Sequence, residues 1–268
     1  MSGGEVLGGG LANFGQVVRH GDVVERPAPP HSAALHSYLR ALRTAGFDGV
    51  PEPKSLAGGR EVLSFVHGDV AIPPYPQWSR GEEELASVGR LLRRMHDAAA
   101  SVPIPDANWP AELSDPEADS AQSLVLCHND ACQENVVFRD GEAVALVDFD
   151  FAAPGRPLWD LAQCAWYWVP MLPQAVAAAE GYDGMDSPAR LRILADAYGL
   201  DVGDRRALLD QFPQTVAMMQ RFITGRIAAG DPVFTEVDAE RDPLRWDRIL
   251  AWLDEQHANF LAALGIES

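Results

Sequence analysis

The chain holds a single lysine, Lys54, and relies on arginine for the rest of its basic charge, a bias that reads as genome composition rather than mechanism. Basic residues are in the minority: 21 Lys and Arg stand against 39 Asp and Glu, a formal net charge of -18. That balance argues against nucleic acid, whose phosphates demand a basic face. Its ordinary meaning is a solvated acidic surface; its functional meaning is a site whose carboxylates receive a polycationic ligand. Cysteine is scarce as well. Cys127, Cys132 and Cys164 form no disulfide framework, which fits a reducing cytoplasm. A zinc site at Cys127, His128 and Cys132 lacks a fourth ligand at usual spacing. No apolar run approaches the roughly 20 residues of a membrane span. The opening Met-Ser-Gly-Gly-Glu-Val has neither the basic nor the apolar region of a secretory signal. The expectation is a cytoplasmic protein with neither membrane nor nucleic acid as partner. At 268 residues, 47% of them hydrophobic, the chain can bury one sizeable core or two lobes.

Residues 5 to 70 alternate short Val/Leu runs with glycine. Glu5-Val6-Leu7 precedes Gly8-Gly9-Gly10, Phe14 to Arg19 precedes His20-Gly21-Asp22, and Val23-Val24-Glu25-Arg26 follows, a β-meander by its turn signals. Ser32 to Ala45 spaces Leu35, Tyr38, Leu39 and Leu42 as a helix, and two more strands follow around Pro53 to Leu56 and Glu61 to Val66. From Ser79 the pattern is helical. Ser79-Arg80-Gly81-Glu82 fits a capping box, and Leu85, Val88, Leu91, Leu92 and Met95 form an apolar stripe ending at His96, which reads as a structural histidine. Pro103 to Ser120 reads as a loop without regular structure. Further helices are expected at 158–169, 188–199, 204–229 and 243–264, with Pro213 kinking or dividing the third.

Between these halves, Leu124 to Arg139 contains His-x-Asp-x-x-x-x-Asn at positions 128, 130 and 135, and Ala145-Leu-Val-Asp-Phe-Asp sets Asp148 at the end of an apolar β run. Phosphoryl transfer needs a carboxylate to accept an alcohol proton, together with oxygen ligands for a divalent cation on the β- and γ-phosphates. Asp130, Asn135 and Asp148 are the right residue types in the right order. After Asp148 the chain continues through Pro154-Gly-Arg-Pro-Leu-Trp-Asp-Leu-Ala162, and this stretch resembles the aminoglycoside phosphotransferase and choline kinase-like superfamily rather than protein kinases. The similarity is specific between residues 125 and 162 and loose elsewhere.

The resemblance implies an α+β, two-lobed kinase-like fold, with a small β-rich lobe over residues 1–70 that binds nucleotide and a larger helical lobe over 71–268 that carries catalysis and the acceptor. It implies Asp130 as catalytic base, Asn135 and Asp148 as ligands of Mg²⁺, and ATP or GTP as co-substrate. Ser64, Phe65 and Val66 would lie in a hinge whose backbone holds the base, and Gly8, Gly9 and Gly10 would either cover the phosphates or form a tail. His128 organises the loop backbone, and Asp150 is either surface polar or an aid to metal and substrate. Asp160 is most simply a helix N-cap and, by resemblance, braces the catalytic loop. Trp166, Tyr167 and Trp168 read as core aromatics. One part departs from the pattern. Kinase-like enzymes place a lysine on the third strand, paired with a glutamate of the following helix; here Arg26 takes the lysine's place and the helix from Ser32 to Ala45 has no acidic residue.

The expected activity is Mg-dependent transfer of a γ-phosphoryl to a hydroxyl of a small molecule, with an aminoglycoside or another hydroxylated antibiotic or metabolite favoured. The alternatives are a nucleotide-binding regulatory protein or pseudokinase, and a kinase acting on a peptide side chain. Glu236, Asp238, Glu240 and Asp242 form an acidic stretch that meets a cationic acceptor or is a solvated loop.

Overall fold

A computed structural model describes residues 4–7, 15–119, 123–179, 182, 184–239 and 243–267. Gly8, Gly9 and Gly10 lie outside these residues, as do Glu240 and Asp242.

The first strands form one antiparallel five-stranded sheet in the order β1 (Glu5–Val6), β2 (Val18–His20), β3 (Val23–Pro27), β5 (Arg60–Ser64), β4 (Pro53–Ala57), with α1 (Ser32–Thr44) inserted between β3 and β4. Gly21 closes the β2–β3 hairpin at a φ of +64°, a conformation that costs glycine little. The register of β3 on β5 sets Val24 opposite Leu63 and Arg26 opposite Glu61, so a cation and an anion meet across the strands. Helix α1 buries Leu35, Tyr38, Leu39 and Leu42, and His36 beside them.

Two small antiparallel ladders follow: β6 (Val125–Cys127) pairs with β9 (Ala153–Gly155), and β7 (Val136–Arg139) with β8 (Glu142–Leu146). Because β6 leads into β7 and β8 into β9, the two connecting loops, 128–135 and 147–152, are brought together. Asp69 and Phe138 exchange both backbone hydrogen bonds at 2.8 Å, which ties the segment after β5 to this hairpin.

The remainder is helical: α2 (Glu82–Ala99), α3 (Pro157–Trp168), α4 (Gln174–Ala179), α5 (Ser187–Tyr198), α6 (Val202–Ala228), α7 (Pro232–Ala239) and α8 (Arg245–Ala263). Helix α2 packs on α5, and α6 packs on α3 and α8, around a core that includes Leu85, Leu91, Met95, Trp159, Trp168 and Phe212. No helix among the described residues is long and apolar enough to cross a membrane.

Three local expectations are corrected. The capping box does not form: Ser79 lies in a short 3-10 turn, Gln77–Arg80, with its hydroxyl donating to the Pro76 carbonyl at 2.8 Å, and Gly81 is the N-cap of α2. The start of α2 relies instead on Glu82, Glu83 and Glu84 in its first turn, which suit the helix dipole. Pro213 does not divide α6, because residues on both sides of it, Leu208, Leu209, Thr215 and Val216, are buried, and such packing offsets the cost of about 3 kcal/mol for an internal proline. The segment after Pro103 holds a short 3-10 turn, Ala111–Leu113, where no regular structure is expected.

Candidate active site

The loop 128–135 is built around Asp160. That side chain is fully buried, and both its oxygens face the loop: Oδ1 accepts the Asn129 amide at 2.8 Å, while Oδ2 accepts the His128 amide at 2.8 Å and His96 Nε2 at 3.0 Å. The N-cap reading of Asp160 is thereby corrected. Arg156 is the N-cap of α3 and Pro157 opens the helix, which leaves Asp160 within its first turn, past the cap. Burial pushes its carboxyl up, but the His96 hydrogen bond and the nearby histidines outweigh this and hold it below the usual range. Asn129 turns the chain at a φ of +61° and donates its side-chain amide to the carbonyls of Leu113 and Phe151.

His128 is fully buried. Its Nε2 donates to the Val147 carbonyl at 3.0 Å, and its Nδ1 accepts the Asp130 amide at 3.3 Å. Both ring nitrogens serve the backbone in the neutral form that burial favours, so neither is left to ligate zinc.

Asp130 leaves this loop toward Asn135. The Asn135 Nδ2 donates to Asp130 Oδ2 at 2.8 Å and to the Asp130 carbonyl at 2.9 Å. The Tyr167 side chain also lies beside the Asp130 carboxylate. Burial and the charge of Asp148 push the Asp130 carboxyl up to about 8, against the pull of Tyr167 and Asn135.

The facing loop carries Asp148, Phe149 and Asp150. Asp148 has a φ of +63°, which non-glycine residues seldom adopt outside functional or strained sites. Its neighbour Val147 donates its amide to the Asn135 carbonyl at 2.9 Å, so Asn135 and Asp148 belong to one hydrogen-bonded unit. From the sheet, Arg26 reaches both carboxylates: Nη1 donates to Asp148 Oδ1 at 2.7 Å and Nη2 to Asp150 Oδ1 at 2.6 Å. Its Nε donates to Glu61 Oε1 at 2.7 Å. The other Glu61 oxygen lies 2.8 Å from His36 Nε2, and Glu61 is fully buried. Burial opposes the Arg26 charge, yet the three carboxylates keep its guanidinium protonated.

A cavity of about 400 Å³ opens between sheet and loops, lined by Val24, Leu63, Ser64, Phe65 and Val66 together with Arg26, Asn135 and Asp148. Two of the hinge amides are already committed, Ser64 N–H to the Glu52 carbonyl at 2.9 Å and Phe65 N–H to the Asp22 carbonyl at 2.8 Å. A nucleobase at this hinge would therefore use its other backbone groups. The donor set suits a hard cation: Asn135 commits its nitrogen to Asp130 and keeps its amide oxygen, and it lines the cavity together with Asp148. Among the described residues, no group of three or more His, Cys, Asp or Glu could hold a metal ion on its own. A cation here would complete its shell with phosphate oxygens and water, as Mg²⁺ commonly does.

Two residues that sequence reasoning passed over, Glu61 and His36, and two that it read as structural, Tyr167 and His96, stand in this site or behind it. Glu61 and His36 carry Arg26. Tyr167, read as a core aromatic, lies beside Asp130. His96, read as a structural histidine, links Asp160 to the Tyr198 hydroxyl, which lies 2.7 Å from its Nδ1. The only available sequence signal was a polar or charged residue interrupting an apolar strand or helix face.

The model of a phosphotransferase enzyme family matches residues 104–194. A trifolitoxin immunity protein of Rhizobium leguminosarum bv. trifolii is 34% identical over 213 residues, 77% of each chain. A choline/ethanolamine kinase family protein of Mesorhizobium loti superposes with a TM-score of 0.64 at 20% identity, over 98% of this chain and 92% of that one. Amicoumacin kinase in complex with AMP-PNP and Ca²⁺ superposes with a TM-score of 0.60 at 13% identity, over 98% of this chain and 90% of that one. These structural likenesses show a kinase-like α+β fold.

Proposed function

Because the chain belongs to the aminoglycoside phosphotransferase and choline kinase-like family, we propose that it transfers the γ-phosphoryl of ATP or GTP to a hydroxyl of a small molecule. The observation that carries this reading is the meeting of Asn135 and Asp148 at the cavity, with Asp130 hydrogen-bonded to Asn135 behind them, on two loops held together by the Asn135–Val147 backbone bond.

In this reading residues 1–70 hold the nucleotide and residues 71–268 hold the acceptor. Asp130 accepts the proton of the acceptor hydroxyl as the new oxygen–phosphorus bond forms and the bond to the departing nucleoside diphosphate breaks. The Asn135 amide, with the Tyr167 side chain beside it, orients the Asp130 carboxylate toward that proton. Asn135 and Asp148, with Asp150 beside them, would hold Mg²⁺, which when bound neutralises charge on the β- and γ-phosphates. His128 and Asp160 keep the loop backbone in place. Arg26 faces the phosphates from the sheet. Catalysis of this kind is mainly positioning and charge stabilisation.

The favoured acceptor is a hydroxylated antibiotic or toxin. Support comes from the fold shared with an amicoumacin kinase, from the relative known as a toxin immunity protein, and from the acidity of the chain, which favours a cationic acceptor. A second reading, a nucleotide-binding regulatory protein, draws on Arg26, whose three donors hold Asp148, Asp150 and Glu61 at once. A screen of acceptor-dependent ADP and GDP formation separates them. It should include aminoglycosides, other hydroxylated antibiotics, amino alcohols and a hydroxylated peptide toxin. Acceptor-stimulated turnover supports the transferase. Tight Mg·ATP binding without turnover on any acceptor supports the regulatory protein.

A further inference from the structure

Resting on that reading, we propose that Glu61 and His36 are positioning residues: together they set the Arg26 guanidinium against the phosphate and metal end of the cavity, a task for which α1 offers no carboxylate. Glu61 stands directly opposite Arg26 in the β3–β5 register, and its two oxygens are divided between Arg26 Nε and His36 Nε2. Held at both oxygens, the carboxylate has one orientation. The guanidinium bonded to it through Nε is planar, so its two remaining nitrogens have fixed directions, toward Asp148 and Asp150. A lysine carries its three donors on one rotatable ammonium nitrogen and would lack the fixed, spread directions of the guanidinium. Arginine on β3 and an acid on β5 therefore belong together as one substitution of the family pattern.

His36 makes the arrangement a link to the helix rather than a pair within the sheet. It lies on the face of α1 that also buries Leu35 and Leu39. Helix α1 thus meets the Asp148–Asp150 loop through His36, Glu61 and Arg26. A fully buried glutamate and a nearly buried arginine are expensive to desolvate, and a packed apolar pair often holds a fold as well. One outward arm of Arg26 ends on Asp148, which lines the cavity, and the other on Asp150 two residues along, and they give the buried acid its use.

The test compares Mg·AMP-PNP with adenosine by calorimetry, taking the ratio of the two affinities within each variant so that a general loss of stability cancels. In the wild type the triphosphate analogue should bind more tightly. In His36→Leu that ratio should fall about tenfold, the scale of one hydrogen bond to a charged group, while adenosine affinity holds. His36→Gln, which keeps a donor, should restore most of it. In an Arg26→Gln background His36→Leu should change the ratio no further, and Glu61→Gln should reproduce the loss if His36→Leu does not fold. An unchanged ratio in His36→Leu and Glu61→Gln, or a full additional loss in the Arg26→Gln background, overturns the positioning role and leaves the transferase reading intact. A wild type that binds both ligands equally overturns the transferase reading and this inference with it.

Discussion

Replacing Asp160 perturbs the 128–135 loop while leaving Asp130 and Asn135 themselves unchanged. Asp160→Ala strands three buried donors at once, the amides of His128 and Asn129 and the Nε2 of His96. An orphaned buried donor costs about 1–3 kcal/mol. Against this, the variant no longer buries a carboxylate, which returns part of the loss. The net expectation is a destabilisation of about 4 kcal/mol, a large share of the roughly 5–15 kcal/mol typical of a folded domain. Asp160→Asn keeps the volume and one oxygen but turns an amide toward at least one donor, so about half that loss is expected. The pH dependence has a definite sign. The Asp160 carboxyl is held below its ordinary range in the folded protein, so its contribution is complete above an unfolded value of about 4 and is lost as the pH falls through the folded value. The acid limb of the stability curve should therefore be steeper in the wild type than in Asp160→Asn. Urea unfolding at neutral and acid pH, followed by fluorescence and circular dichroism, measures both effects. A loss below about 1 kcal/mol for Asp160→Ala, or identical acid limbs, would refute the idea that this carboxylate carries the loop.

Other substitutions probe the chemistry. Asp130→Ala should lower turnover by roughly 10²–10⁴-fold, as expected for a general base, with nucleotide affinity retained; near-normal turnover contradicts the assignment. Since burial and Asp148 push the Asp130 carboxyl up to about 8, folding favours its protonated form and stability falls as the pH rises toward that value, so Asp130→Asn should be more stable than the wild type at pH 8 by thermal melting. Asp148→Asn should abolish most Mg²⁺-dependent tightening of nucleotide binding, and calorimetry showing unchanged Mg·ATP affinity would count against the metal role. For a cationic acceptor, KM should rise with ionic strength and in the Glu236→Gln, Asp238→Asn double variant; both residues fall on α7, and a KM indifferent to salt and substitution would remove acidity as a guide to the acceptor.

What was legible in the sequence is what depends on short spacing. Asp130, Asn135 and Asp148 sit in two short motifs beside apolar strands, so their grouping followed from that spacing together with the family those motifs resemble. Most of the order of strands and helices followed from glycine turns and apolar stripes such as those of α1 and α2, but the short helices α4 and α7 did not. What escaped depends on register or on distant packing. Arg26 meets Glu61 only because β3 pairs with β5 in one particular register, and His36 reaches Glu61 only because α1 lies on that sheet. Asp160 looked like a cap because an acid near a helix start usually is one; Pro157 had already set the start three residues earlier. Tyr167 was hidden within a run of aromatics, most of which are core.

The central claim, a phosphoryl transferred to an acceptor hydroxyl with Asp130 as base, is tested most directly by ATP labelled at its γ-phosphorus. With an acceptor found in the screen, the wild type should move label onto the acceptor in step with ADP release, while Asp130→Ala, binding the same nucleotide, should move almost none. Label released only as free phosphate by the wild type, or equal transfer by both proteins, would contradict the account.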